Sequence, residues 1–96
     1  MPCTVRLIDP PSATPPEGIK DAEARFRREL ERALGDDLIE ALRAFNAASE
    51  SNAEDLTKDE IKLAARWSAA FDKARQAGMR DLGDAQESYF EVRAAG

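Results

Sequence analysis

The sequence predicts an all-α fold: a compact irregular bundle of three to four amphipathic helices, preceded by an extended Pro-rich N-terminal arm over residues 1–18. Apolar residues recur at helical spacing in three segments, four of the five prolines fall between residues 9 and 18, and the glycines stand singly near the predicted helix ends. A chain of 96 residues forms one domain with a modest core, so residues 19–96 are predicted as a single helical domain.

The arm begins with the stretch CTVRLID, in which Cys3, Val5 and Leu7 fall on one side. A short edge strand over residues 3–8 and an ordered coil packed on the body explain this alternation equally well. The following stretch, DPPSATPPEG, is predicted to be extended because the residue before a proline is displaced from the helical region.

The first helix is predicted over residues 19–34, where the apolar residues form one stripe: Ile19, Ala22, Phe26, Leu30, Ala33 and Leu34. Gly35 is expected to end it. On the opposite face, Asp21 and Arg25 have the i,i+4 spacing of a helical ion pair. The arginine cluster RFRRELER is therefore interpreted mainly as solvated helix surface.

A second helix is predicted over residues 37–49, capped by Asp36 or Asp37, with its apolar face formed by Leu38, Ile39, Leu42 and Phe45. The connection to the first helix is only about two residues long. Because short connections place neighbouring helices antiparallel, we expect these two helices to form a hairpin.

A third helix is predicted over residues 57–78, since Thr57 and Glu60 have the spacing of a capping box and Gly78 follows the last turn. Helical projection places Trp67 among apolar residues and alanines on one broad face. We therefore interpret Trp67, the single tryptophan, as a core anchor rather than an exposed partner site.

The tail over residues 82–94 is predicted as a shorter fourth helix, although the residue types of SYFEV are also typical of a strand. A helical projection turns Phe90 about 100° away from the Leu82 and Tyr89 stripe, beyond Gln86 and Arg93. Phe90, Arg93 and Gln86 are therefore the predicted partner-binding residues.

Several kinds of chemistry are excluded by composition. Without histidine and with one cysteine, the sequence offers no Cys/His zinc site and no His-based catalysis. The scattered glycines form no phosphate loop, and an EF-hand alignment starting at Glu50 puts Ile61 where a bidentate Glu is needed. The sequence thus predicts no enzyme activity, no cofactor and no metal.

The leading hypothesis is a small non-enzymatic protein-binding module, such as an adaptor, inhibitor or assembly factor, acting through a helical surface. One alternative is a nucleic-acid-associated regulator using the basic face of the third helix, formed by Lys58, Lys62, Arg66 and Lys73, with Arg25, Arg28 and Arg32 as further candidates. The net charge of −5 weighs against it. Another alternative is a self-assembling homo-oligomer, such as a homodimer.

The expected location is the cytoplasm, because the sequence shows neither a secretory signal pattern nor an apolar run of membrane-spanning length. Arginine is used far more than lysine, which mildly favours a bacterial or phage source.

Overall fold

The computed structural model describes residues 3–50, 55–82 and 86–94. Their secondary-structure elements, in chain order, are strand β1 (Cys3–Ile8), helix α1 (Pro16–Leu34), a 3-10 turn (Gly35–Asp37), helix α2 (Leu38–Glu50), helix α3 (Lys58–Met79) and strand β2 (Tyr89–Ala94). The two strands pair antiparallel in a two-stranded sheet.

The prediction of an all-α bundle of three to four helices with an extended arm is wrong. Helix α1, the 3-10 turn and helix α2 follow one another as a single interrupted helical segment, and α3 packs along both helices. The direction of α3 is antiparallel to that segment, since Arg25 contacts Ala77 and Gly78 while Asp37, further along, contacts Arg66. The α1–α2 segment and α3 thus lie side by side along the length of an elongated molecule that measures 44 × 24 × 23 Å.

The expected hairpin between the first two helices is absent from the described structure. Gly35 has φ 54° and ψ −130°, a conformation that favours glycine, and its N–H donates to the carbonyl of Glu31. The turn then leads into α2 without folding it back, so α1 and α2 have few contacts with each other. Both bury their apolar faces against α3, whose 22 residues span about 33 Å.

Helix α3 has the predicted start. The hydroxyl of Thr57 accepts from the N–H of Glu60 at 3.1 Å, and the N–H of Thr57 donates to the Glu60 carboxylate at 3.2 Å, which completes the capping box. Trp67 is 3% exposed, so its interpretation as a core residue is confirmed.

The predicted fourth helix is a strand over Tyr89–Ala94, and residues 83–85 of that prediction lie outside the described part of the chain. β2 pairs with β1 so that Cys3 faces Ala94 and Leu7 faces Phe90. This pairing joins the two ends of the sequence, and local periodicity carries no information about it. For short apolar runs, the choice between helix and strand depends on such distant partners.

The N-terminal region contains a strand, which is one of the two alternatives that the alternation in residues 3–8 predicted. Residues 3–8 form β1, and α1 begins at Pro16, three residues before the predicted start, with Pro15 as its N-cap. Proline suits the first helical turn because its fixed φ fits the helix and its missing N–H would have no partner there.

The side chain of Arg25 links α1 to the C-terminal end of α3. Arg25 donates from Nε to the carbonyl of Ala77 and from Nη2 to that of Gly78, both at 3.1 Å, and its Nη1 lies 3.7 Å from Oδ2 of Asp81. It thereby satisfies carbonyls at the C-terminal end of α3. The predicted pairing of Arg25 with Asp21 is replaced by these contacts.

None of the helices within the described ranges contains an apolar stretch long enough to cross a bilayer.

Candidate functional site

Five aromatic rings form a row from the molecular surface into the core. The centroid of Phe45 lies 6.4 Å from that of Trp67, which lies 6.1 Å from Phe71. The row continues edge-to-face from Phe71 to Phe26 at 5.1 Å and ends with Phe26 stacked on Phe90 at 4.3 Å. Offset and edge-to-face pairs at these distances are favourable arrangements of aromatic rings. The row connects α2, α3, α1 and β2 in that order.

At its surface end the row opens into a groove of about 340 Å³ between α2 and α3, which we call the aromatic groove; it is lined by Phe45, Trp67, Ser68, Phe71 and Asp72. Phe45 is 36% exposed, whereas Trp67 is buried. Phe45 therefore stands at the rim and Trp67 closes the inner wall. The volume is near the lower end of the range for ligand pockets in proteins.

The groove exists because α2 packs mainly against α3 and has few contacts with the other elements of the described residues. The sheet lies over α1, where the N–H of Leu7 donates to the carboxylate of Glu23 at 2.8 Å. Phe45 lies on α2, beyond the α1 segment on which the sheet packs, and its ring is covered only in part.

Along α3, next to the groove, runs a row of small and apolar side chains: Ile61, Ala64, Ala65 and Ser68. Their spacing of three and four residues places them on one side of the helix. Ile61 is 47% exposed, and Ala65 and Ser68 are also exposed. Small side chains allow another backbone to approach closely, so this row extends the apolar surface beside the aromatic groove.

The single charged residue among those lining the aromatic groove is Asp72. Its Oδ2 accepts a hydrogen bond from Nε2 of Gln76, one turn further along α3, at 3.2 Å. The groove therefore combines an apolar wall with one carboxylate and one hydroxyl, that of Ser68. This composition suits an apolar group flanked by a positive charge.

The three predicted partner-binding residues do not share a surface. Phe90 is 3% exposed and packs in the core, because alternation along a strand turns it toward the helices. Arg93 points to the other side of β2, where its Nε lies 2.8 Å from Oε1 of Glu91. Gln86 lies in the turn before β2 and is exposed. The helical projection that grouped them does not apply to a strand.

The four cations of the alternative site, Lys58, Lys62, Arg66 and Lys73, are exposed on α3. Arg66 donates from Nη1 to Oδ2 of Asp37 at 3.0 Å, so one of the four charges is paired with the acidic segment that follows α1. Arg25, a further candidate of the same hypothesis, donates hydrogen bonds to backbone carbonyls at the end of α3.

A larger pocket of about 680 Å³ lies where the Pro-rich segment meets the ends of α1 and α3; it is lined by Pro11, Ser12, Ala13, Thr14, Pro15, Gly18, Asp21, Arg25, Asp81 and Leu82. Its arginine is already bound to backbone carbonyls and lies near Asp81. Arg25 is therefore engaged in the structure at this end of α1.

Cys3 lies in the core at the start of β1 and is fully buried. Burial, with a smaller contribution from Glu31, raises the pKa of its thiol. The thiol is therefore protonated at neutral pH and is a poor nucleophile. Across the described ranges, no cluster of Cys, Asp or Glu side chains has the arrangement of a metal site; residues 51–54 of the acidic loop lie outside these ranges.

Sequence reasoning missed the aromatic groove because it grouped Phe45 with the core-facing residues of α2. Helical periodicity carried no signal of this exposure, because it depends on which elements cover α2 in the folded structure. Comparisons with protein-family models, curated proteins and solved structures found no match to this chain.

Proposed function

We propose that this chain is a small non-enzymatic protein-binding module, in the manner of an adaptor, inhibitor or assembly factor, and that its binding site is the aromatic groove. The observation that supports this most directly is the 36% exposure of Phe45 above the buried Trp67. Exposed aromatic side chains beside an apolar depression are typical of protein interaction sites.

The chemistry of the groove favours an amphipathic helix of another protein. A groove of about 340 Å³ accepts one or two large apolar side chains, and the neighbouring row of Ala64, Ala65 and Ser68 lets a second helix lie close to α3. A lysine or arginine of the partner, placed one turn from its apolar anchor, would pair with Asp72. The proposal includes a cytoplasmic setting, because the single cysteine has no internal disulfide partner.

The nucleic-acid alternative receives less support from the geometry. The paired Arg66 and the occupied Arg25 reduce the positive charge available for phosphate contacts. It predicts binding that falls steeply with salt.

The first experiment is capture of partners by the tagged full chain from a lysate of the source organism, with and without nuclease. Wild type is compared with Phe45→Ser and with Tyr89→Ser, a matched control because Tyr89 is also an exposed aromatic, at 51%, but lies on the sheet. We expect a protein retained by wild type and Tyr89→Ser in the presence of nuclease and lost with Phe45→Ser. Equal capture by Phe45→Ser, or recovery that vanishes with nuclease, would overturn the proposal.

A second experiment uses Trp67 as a reporter, because the single tryptophan forms a wall of the groove. Titration with the captured protein should change the tryptophan emission. The binding affinity measured in this way should be weaker by about tenfold or more for Phe45→Ser, in line with the loss of an aromatic anchor. Asp72→Asn should weaken binding less, with a reduced salt dependence. A titration that leaves the emission unchanged would place the partner on another surface.

A further inference from the structure

Within residues 3–50, 55–82 and 86–94, the two-stranded sheet has one edge that α1 contacts and one edge that no other element pairs with. On the β1 side, the N–H of Leu7 donates to Glu23 at 2.8 Å. This N–H therefore points away from β2, which makes Leu7 and Phe90 a pair that exchanges no backbone hydrogen bonds.

In an antiparallel pair, hydrogen-bonded and non-hydrogen-bonded residue pairs alternate, so the pairing of Leu7 also shows which backbone groups of β2 point to the outer edge. If Leu7 and Phe90 form a non-hydrogen-bonded pair, so do Val5 and Val92, and the N–H and C=O groups of Phe90 and Val92 face away from β1. No hydrogen bond among the described residues uses these groups. An open strand edge of this kind is a template for another strand.

The sequence of β2, YFEVRA, is complementary to itself in one antiparallel register. With a two-fold axis at Val92, Glu91 of each copy lies opposite Arg93 of the other, and Phe90 lies opposite Ala94 of the other. Opposite charges directly across a strand pair are stabilising. The neighbouring registers, centred on Glu91 or on Arg93, place like charges opposite each other and are disfavoured.

We propose that two copies of this chain associate through the free edges of β2, forming a four-stranded antiparallel sheet with its two-fold axis at Val92. The backbone hydrogen-bonding groups are compatible with this register, because the outward N–H and C=O groups of Val92 lie opposite those of Val92 in the second copy. This interface is isologous. It goes beyond the proposed partner binding, since it does not use the aromatic groove.

The charged side chains of Glu91 and Arg93, which favour this register, can exchange their present contact for one across the dimer interface. Glu91 and Arg93 now pair within one strand, with the two side chains 32% and 75% exposed, on the face of β2 that points away from the helices. In the dimer each would exchange this contact for one across the axis. The interface is short, so we expect association only at about micromolar concentrations or above.

The test is sedimentation equilibrium of the full chain from about 1 µM to about 1 mM. We expect a reversible monomer–dimer equilibrium for wild type, weakened about tenfold or more by Glu91→Arg alone and by Arg93→Glu alone. The double variant, Glu91→Arg with Arg93→Glu, should return the Kd to within about threefold of wild type. Glu50→Arg, the same charge change at an exposed position on α2, should leave it unchanged.

Val92→Pro gives an independent test of the edge itself. Proline removes the outward N–H without removing a bond of the β1–β2 ladder, and prolines are accepted on strand edges. This variant should keep the circular dichroism of wild type and sediment as a monomer. A wild type that stays monomeric at about 1 mM, a double variant that is not restored, or a Val92→Pro dimer would overturn the proposal.

Discussion

Replacing Phe90 with alanine tests whether the C-terminal segment belongs to the core. The Phe90 ring is 3% exposed, stacks on Phe26 at 4.3 Å, and lies against Gly78 so closely that a Cβ there would be 2.5 Å from its Cζ. Truncating a buried phenylalanine costs about 3–5 kcal/mol, the sum of lost transfer free energy and the cavity left behind. Domains of this size have a free energy of unfolding of about 5–15 kcal/mol, so the variant loses a large part of it.

The assay is urea unfolding followed by Trp67 fluorescence and by far-UV circular dichroism. Since each kcal/mol corresponds to about 4–8 °C in a domain of this length, we also expect Tm to fall by at least about 12 °C. The control is Tyr89→Ala at the neighbouring position, where the side chain is 51% exposed and the expected loss is below about 1 kcal/mol.

A loss for Phe90→Ala as small as that of the control would contradict the burial of the Phe90 ring in the core. It would place Phe90 on the surface, as the helical projection of residues 82–94 predicted, and would remove the inner face of β2 from the core. The contrast between adjacent residues is informative because a strand alternates the sides of successive side chains, whereas a helix would turn them by about 100°.

Three further changes test individual contacts. Gly78→Ala should cost about 1–2 kcal/mol in urea unfolding, because the clash with Phe90 outweighs the helix propensity of about 1 kcal/mol that alanine gains; a net stabilisation would show that the ring moves aside freely. Thr57→Ala should lower the free energy of unfolding by about 0.5–2 kcal/mol and Thr57→Asn by much less; equal losses would mean that the cap hydrogen bond contributes nothing. Burial raises the pKa of the Cys3 thiol above 9.0, so the unfolded chain loses that proton first and stability falls as the pH rises above about 9. Cys3→Ala should lack this part of the pH dependence in melting experiments, and identical curves for the two proteins would contradict it.

Helices α1, α2 and α3 are predictable from the amino-acid sequence alone, because their signals are local. The capping box of Thr57 and Glu60 acts within one turn, and the stripe that contains Phe26 and Leu30 specifies which side of α1 is buried. The inward direction of Trp67 follows from its own helix in the same way. These features depend on residues three or four positions apart, so they are the same in the observed α/β structure as in the predicted bundle.

The features that depend on distant residues follow from the packing of the elements against one another. Residues 89–94 form a strand because their backbone pairs with β1, which lies far away in the sequence. This pairing buries Phe90. Arg25 left its predicted pairing with Asp21, since an exposed helical ion pair contributes only a few tenths of a kcal/mol, whereas hydrogen bonds from a charged group to helix-end carbonyls contribute more. The exposure of Phe45 likewise followed from how few elements cover α2. Local periodicity shows that a side chain is apolar, but the arrangement of elements determines whether it is covered.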